Sequence, residues 1–524
     1  MTKYRSMLTA LMGFWASAPN MAVAVFAAPP IDPQNPPQGR FADDWAEVHL
    51  LGGKVGYMHT SMTREDNEIQ TQTDTLMRIG RVDQNIEVSI RQSTKESVDG
   101  TPRAFSSEMK VAAVKTGTRG TIADGKVTVI TAQYGIEQTQ TFDFPQGALM
   151  TWGMFRESLI RGFQPGTEYV IDVYAPELRL DGPVKALTHV ADDESFDHRG
   201  EKKTGRKVTV TMRSPIGVMT IASWVDENGD MLKAVMPAPG LGDMVLYTVD
   251  QQTALTDFVP REIFMQSTIQ AGRSLDAKAL RRVTYLVRAT GEGIDLTDLP
   301  ETDVQKVARN EDGSVNVTIA RLSYESGNGK VQVEHGKTSP PEMAEYLESN
   351  LMINLKDEKL MELGRRAAGG KLETFALADT LRRFVSEYVK SKNLNIGFAT
   401  ASEVARTQEG DCSEHGVLLA ALGRLNGIPS RVAVGLVYVP SFAGRSNIFG
   451  YHLWTQFHID GRWLDYDAAL NETECSPTRI AFSTSSLRNT GLADLSLPLL
   501  SKIGAIAIDI IETEALSAEN DGRD

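Results

Sequence analysis

Apolar and polar residues alternate with a period of two through residues 41–255, whereas beyond Ser339-Pro340-Pro341 apolar residues recur every three or four positions. Ile86, Val88 and Ile90 alternate with polar neighbours, as do Val208, Val210 and Met212, and Ile216, Val218 and Thr220 on the way to Trp224. Such stretches predict half-buried antiparallel strands. Gly52-Gly53, Asp99-Gly100, Asp124-Gly125 and Asn228-Gly229 punctuate them as tight hairpin turns, which need positive φ. One helix is predicted across Gln146–Arg161, because Ala148, Trp152, Phe155 and Leu159 fall on one helical stripe. A large curved sheet around that helix is the simplest packing.

Shorter strand patterns at Arg282–Val287 and Val315–Ile319 place a second β-rich region over 256–340, either a small unit of its own or an extension of the first sheet. Helices follow. Leu377, Leu381, Phe384, Val385, Tyr388 and Val389 make an amphipathic stripe between Phe375 and Lys392, and Thr400-Ala401-Ser402-Glu403 has capping-box spacing. After a turn at Gly410 the spacing predicts a helix opening at Cys412, with Leu418, Leu422 and Leu425 on its core face and Asn426-Gly427 at its end. A strand Arg431–Val439, a loop 440–450, a hairpin Tyr451–Tyr466 turning at Asp460-Gly461 and a last strand Ile503–Ile511 complete the reading. The fold class is α+β. The expected domains are a signal peptide (1–27), a Pro-rich linker (28–40), a β-rich domain (41–255), the second β-rich region (256–340), a catalytic domain (341–512) and a polar tail (513–524).

Composition narrows the function classes. The 524 residues are 41% hydrophobic and 23% charged, ordinary for a folded protein, with a net charge of −14 and no basic run to oppose it, which excludes nucleic acid as an expected partner. Lys3 and Arg5 precede an uncharged stretch from Met7 to Ala28, the pattern of an export signal cleaved after Ala27. The expected location is therefore periplasmic or secreted; the alternative is a chain anchored by the uncleaved segment. Cys412 and Cys475 are the only cysteines, so disulfides do not hold the chain together, although one bridge between these two is a competing reading. No phosphate-binding loop, dinucleotide fingerprint or His-Glu-x-x-His motif occurs, so no cofactor and no metal are implied. Asp226-Glu227-Asn228-Gly229-Asp230 reads as a hairpin turn rather than a calcium loop, and Asp192-Asp193-Glu194 with Asp197 and His198 as a solvated loop.

Chemistry concentrates at Gly410-Asp411-Cys412-Ser413-Glu414-His415. A cysteine attacks as its thiolate, and a position at a helix start supplies a positive dipole end and unpaired N–H groups that favour the anion and can bind an oxyanion. The hairpin supplies a partner. With Asp460-Gly461 as a two-residue turn, Ile459 faces Arg462, and continuing the ladder sets Trp454 opposite Asp467. His452 then lies on the face of Asp467, diagonal to it, within reach of a His–carboxylate hydrogen bond. Cys412, His452 and Asp467 are thus the candidate catalytic residues. His458 shares that face but lies roughly 20 Å along the strand. Asp465 is one step further from His452, and His415, one helical turn from Cys412, is the remaining competitor for the base.

These residues resemble the transglutaminase-like superfamily, in its bacterial papain-like branch. The resemblance rests on GDCSEH around Cys412, GIPSRVAVGLVY at 427–438, YHLWTQFHIDGRW at 451–463 and WLDYD, and covers about residues 341–512. It implies Cys412 as nucleophile, His452 as base and Asp467 as orienting acid; the Pro common after the family's acid is Ala468 here. The expected function is an exported acyl-transfer enzyme acting on amide bonds of a peptide or protein substrate, as peptidase, amidase or transglutaminase. The alternative is a non-catalytic envelope scaffold whose β-rich half holds a polypeptide or an apolar ligand.

Overall fold

The computed structural model describes residues 31–516 apart from 82–83, 112–113, 134–135, 215–216, 239–241, 263–267, 291–293, 323–340, 371–372, 391–398, 443, 489–501 and 503. The segment read as an export signal lies outside the described residues. The chain divides into two compact units, one within Met12–Ile263 and one within Phe264–Asp524.

The N-terminal unit is β-rich, as its alternating pattern requires. Eight strands, from β1 (Gly39–Leu50) to Ile136–Asp143, form one antiparallel meander, each pairing with the next. Six more, from Glu168–Val173 to β2 (Gly242–Val249), form another, and β1 pairs with β2 to join the two into one continuous sheet. Between the meanders runs α1 (Thr151–Arg161), whose Trp152 and Phe155 pack against Ala42, Met62, Ile69 and Val98 of the sheet. The helix begins later than its stripe suggests: Ala148 is buried but precedes the helix, in a cluster with Phe105, Val127 and Val129. The first backbone N–H groups of α1 have no side-chain cap from Met150. Buried Glu96 replaces it, accepting from the amides of Trp152 (2.7 Å) and Gly153 (2.8 Å), and burial pushes its carboxyl up to about 7.

The structure departs from several local expectations. The first turn uses Leu51 and Gly52 at positive φ, one residue earlier than the Gly52-Gly53 pair, because Leu50 pairs with Gly53. Val218 is 64% exposed and Ile221 is buried, so the strand Gly217–Val225 turns its other face to the core. A lone apolar residue near a strand end is a poor guide to which face is buried. Asp192, Asp193 and Glu194 are not in a loop but in the long strand Val184–His198, where Arg206 and Lys207 of the next strand pair with Asp193 and Glu194. Cross-strand cations make an acidic strand tenable. Asp226 does close a turn, its carboxylate accepting from the amides of Asn228 and Asp230. The Pro-rich stretch is not a free spacer from residue 31 onward: Ile31 joins the Trp152 cluster, and Arg64 and Arg156 donate to the carbonyls of Pro36 and Pro33.

The C-terminal unit is α+β. Strands from 280–320 do not extend the first sheet; Leu280–Ala289, Gln305–Arg309 and Val315–Ala320 form a sheet with the last strand, Ile506–Ala515, which runs past the expected end of the domain. Helices α2 (Glu358–Ala368), α3 (Thr374–Tyr388), α4 (Ala401–Thr407) and α5 (Cys412–Leu425) precede a second sheet. That sheet contains β3 (Ser430–Phe442), β4 (Arg445–Ile459), β5 (Arg462–Tyr466) and β6 (Arg479–Ser485), with β3 between β4 and β6. The loop expected over 440–450 is strand instead, with Val439 facing Ile448 and Phe442 facing Arg445. Pro440 and the polar residues around it mask that continuation in the sequence. Among the described residues no helix is long and apolar enough to cross a membrane.

Candidate active site

Thirteen of the fourteen residues of α5 are buried, which requires close approach by its neighbours. Gly416 and Gly423 permit it: a Cβ at either would strike Leu453 or Phe457 of β4, and Thr455 donates to the Gly416 carbonyl at 2.9 Å. The helix therefore lies against the face of β4 that carries Leu453, Thr455 and Phe457. Its start is tightly specified. Asp411 caps the helix by accepting from the Ser413 amide, and Glu414 returns to accept from the Asp411 amide at 2.9 Å, so Cys412 is the first helical residue. Gly410 has φ of 149°, and a Cβ there would lie 2.2 Å from that of Glu414. The carboxyl of Glu414 is pushed well up by burial and then by the neighbouring Asp411 charge.

The hairpin of β4 and β5 turns at Asp460 and Gly461, both at positive φ, and pairs Ile459 with Arg462 and Thr455 with Tyr466. The ladder stops there. Asp467 does not pair with Trp454 as expected but forms a bridge with Glu472, each amide donating to the other's carbonyl, because the chain turns back through Asn471 at positive φ. The face relation survives. His452 Nε2 lies 2.6 Å from Asp467 Oδ2, and both residues are essentially inaccessible, at 0% and 1%. Along this edge, β4 is flanked by Ile269–Gln270 at residues 448–449 and by β5 at 455–459. His452 sits in the interval between them, its ring within hydrogen-bonding reach of the Cys412 thiol. Since Nε2 is committed to Asp467, Nδ1 is the nitrogen left for the sulfur.

Electrostatics oppose and then overcome burial. Burial alone would push the His452 imidazole down, but Asp467 and Cys412 raise it to about 10. Burial would likewise raise the Asp467 carboxyl, but His452, Arg479 and the Leu470 amide hold it well below the usual carboxylate range. Trp454 stacks parallel to His452, 6.2 Å between ring centres.

The other candidates are engaged elsewhere. His415 donates from Nδ1 to the Asp411 carbonyl at 2.5 Å, a contact within its own helix. His458 packs against Trp463. Asp465 accepts from Gln456 at 2.7 Å, and burial pushes its carboxyl up. Cys412 and Cys475 are not joined, so the competing disulfide is not formed; the Cys475 thiol donates to the Asp465 carbonyl.

Sequence reasoning missed Arg479. It is 2% exposed, donates from Nη1 to Asp467 Oδ2 at 3.1 Å and from Nη2 to Glu472 Oε2 at 2.6 Å, and lies over the Trp454 ring. Its only trace in the sequence is a cation opening an apolar run, Arg479-Ile480-Ala481-Phe482.

The sequence profile of the transglutaminase-like superfamily matches residues 362–468, the span that contains Cys412, His452 and Asp467. A transglutaminase-like domain is present there. No curated protein matches the chain. Among solved structures, a candidate cysteine protease from Cytophaga hutchinsonii is similar at 13% identity and a TM-score of 0.29, over 46% of this chain and 89% of its own. A β-barrel-like protein of a domain of unknown function from Brucella abortus shares 16% identity at a TM-score of 0.29, over 40% of this chain and 96% of its own. A candidate protease from Parabacteroides distasonis shares 10% identity at a TM-score of 0.19, over 78% and 69%. The matched span ends at residue 468, before Glu472 and Arg479.

Proposed function

We propose that this protein is an exported acyl-transfer enzyme that cleaves amide bonds of peptides or proteins through Cys412, His452 and Asp467. The observation that carries the reading is the order of contacts: a thiol at the first position of a buried helix, an imidazole in reach of it, and a carboxylate 2.6 Å from the far ring nitrogen. In this mechanism the Cys412 proton has passed to His452 Nδ1, and the sulfur attacks the amide carbonyl as the thiolate of that pair. Amides at the start of α5 receive the developing oxyanion. Collapse expels the amine, which leaves with the proton from His452, and the acyl group remains on Cys412 as a thioester. Water or a second amine then attacks the thioester and gives its proton to His452, so that the thiol is restored as the acid or the new amide departs. Asp467 keeps one ring nitrogen protonated and stabilises the imidazolium.

Capture by water makes the protein a peptidase or amidase, and capture by an amine makes it a transglutaminase. The test is mass spectrometry of a cell-envelope peptide mixture treated with the protein or with Cys412→Ala. Hydrolysed, deamidated or cross-linked products that depend on Cys412 support the reading and choose between its branches. Identical mixtures from the two proteins would sink it.

A further inference from the structure

The Asp467 carboxylate takes three donors in a dry site: His452 at 2.6 Å, the Leu470 amide at 2.9 Å and Arg479 at 3.1 Å. Two of these change character during an acyl transfer built on His452 or carry no charge. The imidazole is a cation only while it holds the proton taken from the thiol, and the Leu470 amide is neutral throughout. Arg479 alone remains a cation at every step. A buried carboxylate facing a neutral imidazole would otherwise have no opposing charge, which in low dielectric favours protonation of the acid.

Arg479 is itself built in. Burial would lower its charged form, but the carboxylates of Glu472, Asp467 and Asp465 together hold it ionised. One arm of the fork goes to Asp467 and the other to Glu472, whose carboxylate also accepts from the Ser476 amide and hydroxyl. The guanidinium plane covers Trp454, the ring stacked on His452. Two directed N–H bonds plus a ring contact suit a guanidinium and not an ammonium.

We propose that Arg479 is a positioning residue of the site: it keeps Asp467 ionised and fixed against His452 while the imidazole gains and loses its proton, with Glu472 and Trp454 holding the guanidinium in place. This role rests on the acyl-transfer reading of Cys412 and His452. The charged and titratable groups facing the pair are His452, Asp465, Glu472 and Cys475, so removing Arg479 leaves an acid-rich pocket around a single imidazole. Both consequences, a more readily protonated Asp467 and a more negative surrounding for the thiol, push in one direction. Formation of the reactive thiolate moves to higher pH.

The experiment follows alkylation of Cys412 by iodoacetamide across pH in the full-length protein, read by mass spectrometry at that residue. Arg479→Met is expected to fold with an unchanged circular dichroism spectrum and to lose low-pH reactivity, the acid limb rising by about one unit or more. Arg479→Lys should restore only part of the limb. If Arg479→Met does not fold, Arg479→Lys, which keeps the charge but not the two directed N–H bonds, serves instead and should move the limb the same way by less. A folded Arg479→Met protein, or in its place Arg479→Lys, with the wild-type limb would overturn the assignment while leaving the acyl-transfer reading intact. A wild-type Cys412 no more reactive than an ordinary thiol, with His452→Ala indistinguishable from it, would overturn both.

Discussion

Glu96 in the N-terminal unit and Asp467 in the C-terminal unit are both buried carboxyl groups that accept backbone N–H groups, and burial raises both, yet Glu96 ends above its usual value and Asp467 below it. Burial raises Glu96 to about 7, and its partners, the amides of α1 and the Thr94 hydroxyl, are all neutral and offset that rise only in part. Asp467 falls well below its usual range because His452 and Arg479 face it. Neutral donors can hold a carboxyl in place; opposing cations are what keep it charged. The first arrangement suits a structural cap, and the second suits a site where charge must be moved.

The largest expected effect tests whether the C-terminal carboxylate belongs to a working site at all. Cys412→Ala should abolish Cys-dependent product formation, a loss of roughly 10³-fold or more, measured by mass spectrometry of treated peptides. Asp467→Asn should lower kcat by about 10² to 10⁴-fold, since the amide can no longer fix the imidazole tautomer. The same substitution removes one of the two carboxylates paired with buried Arg479 and should destabilise the unit by about 3–5 kcal/mol, read from denaturant unfolding. If Asp467→Asn leaves both kcat and stability unchanged, the contrast with Glu96 has no functional meaning.

The Glu96 side of the comparison is a stability effect with a defined sign. Its folded value lies above the ordinary 4.5, so its contribution is fully present below pH 4.5 and fades as pH rises toward about 7. That amounts to about 3 kcal/mol, and Glu96→Gln should flatten this decline in the unfolding free energy while costing about 1–3 kcal/mol at low pH, where one amide is left without an acceptor. A retained slope in the variant would show that another group titrates. For the His452 pair the sign reverses between partners. The raised imidazole contributes below its unfolded value of 6.5 and loses its contribution as pH rises through about 10, whereas the depressed carboxyl contributes above 3.8 and loses it as pH falls through its lower folded value. Activity that requires the imidazolium should therefore fall on the alkaline side near pH 10, visible in a kcat/KM profile. Smallest of all, His458→Ala should change kcat less than about twofold and stability within about 0.5 kcal/mol, because this half-buried ring contacts Trp463 and not the site.

Much of this was legible because local rules govern it. The capping residues around α5, the positive-φ pair Asp460-Gly461 and the period-two strands each follow from a few neighbouring residues. From those, the chain alone already pointed to Cys412, His452 and Asp467. The misread places share a different feature. Val218 faces outward, Pro440 sits within a strand and Asp193 stands in a ladder because partners on other strands decide burial and pairing there. Asp467 and Arg479 make the same point within the site. Periodicity set Asp467 on the face of His452, but only the return of the chain through Glu472 to β6 brought a guanidinium twelve residues later onto the same carboxylate oxygen. Sequence by itself determined the residue types, the helix start and the hairpin, since these depend on backbone dihedrals and short-range hydrogen bonds. Tertiary structure decided which buried charges oppose one another, because Coulomb interactions in a dry interior depend on where distant segments meet.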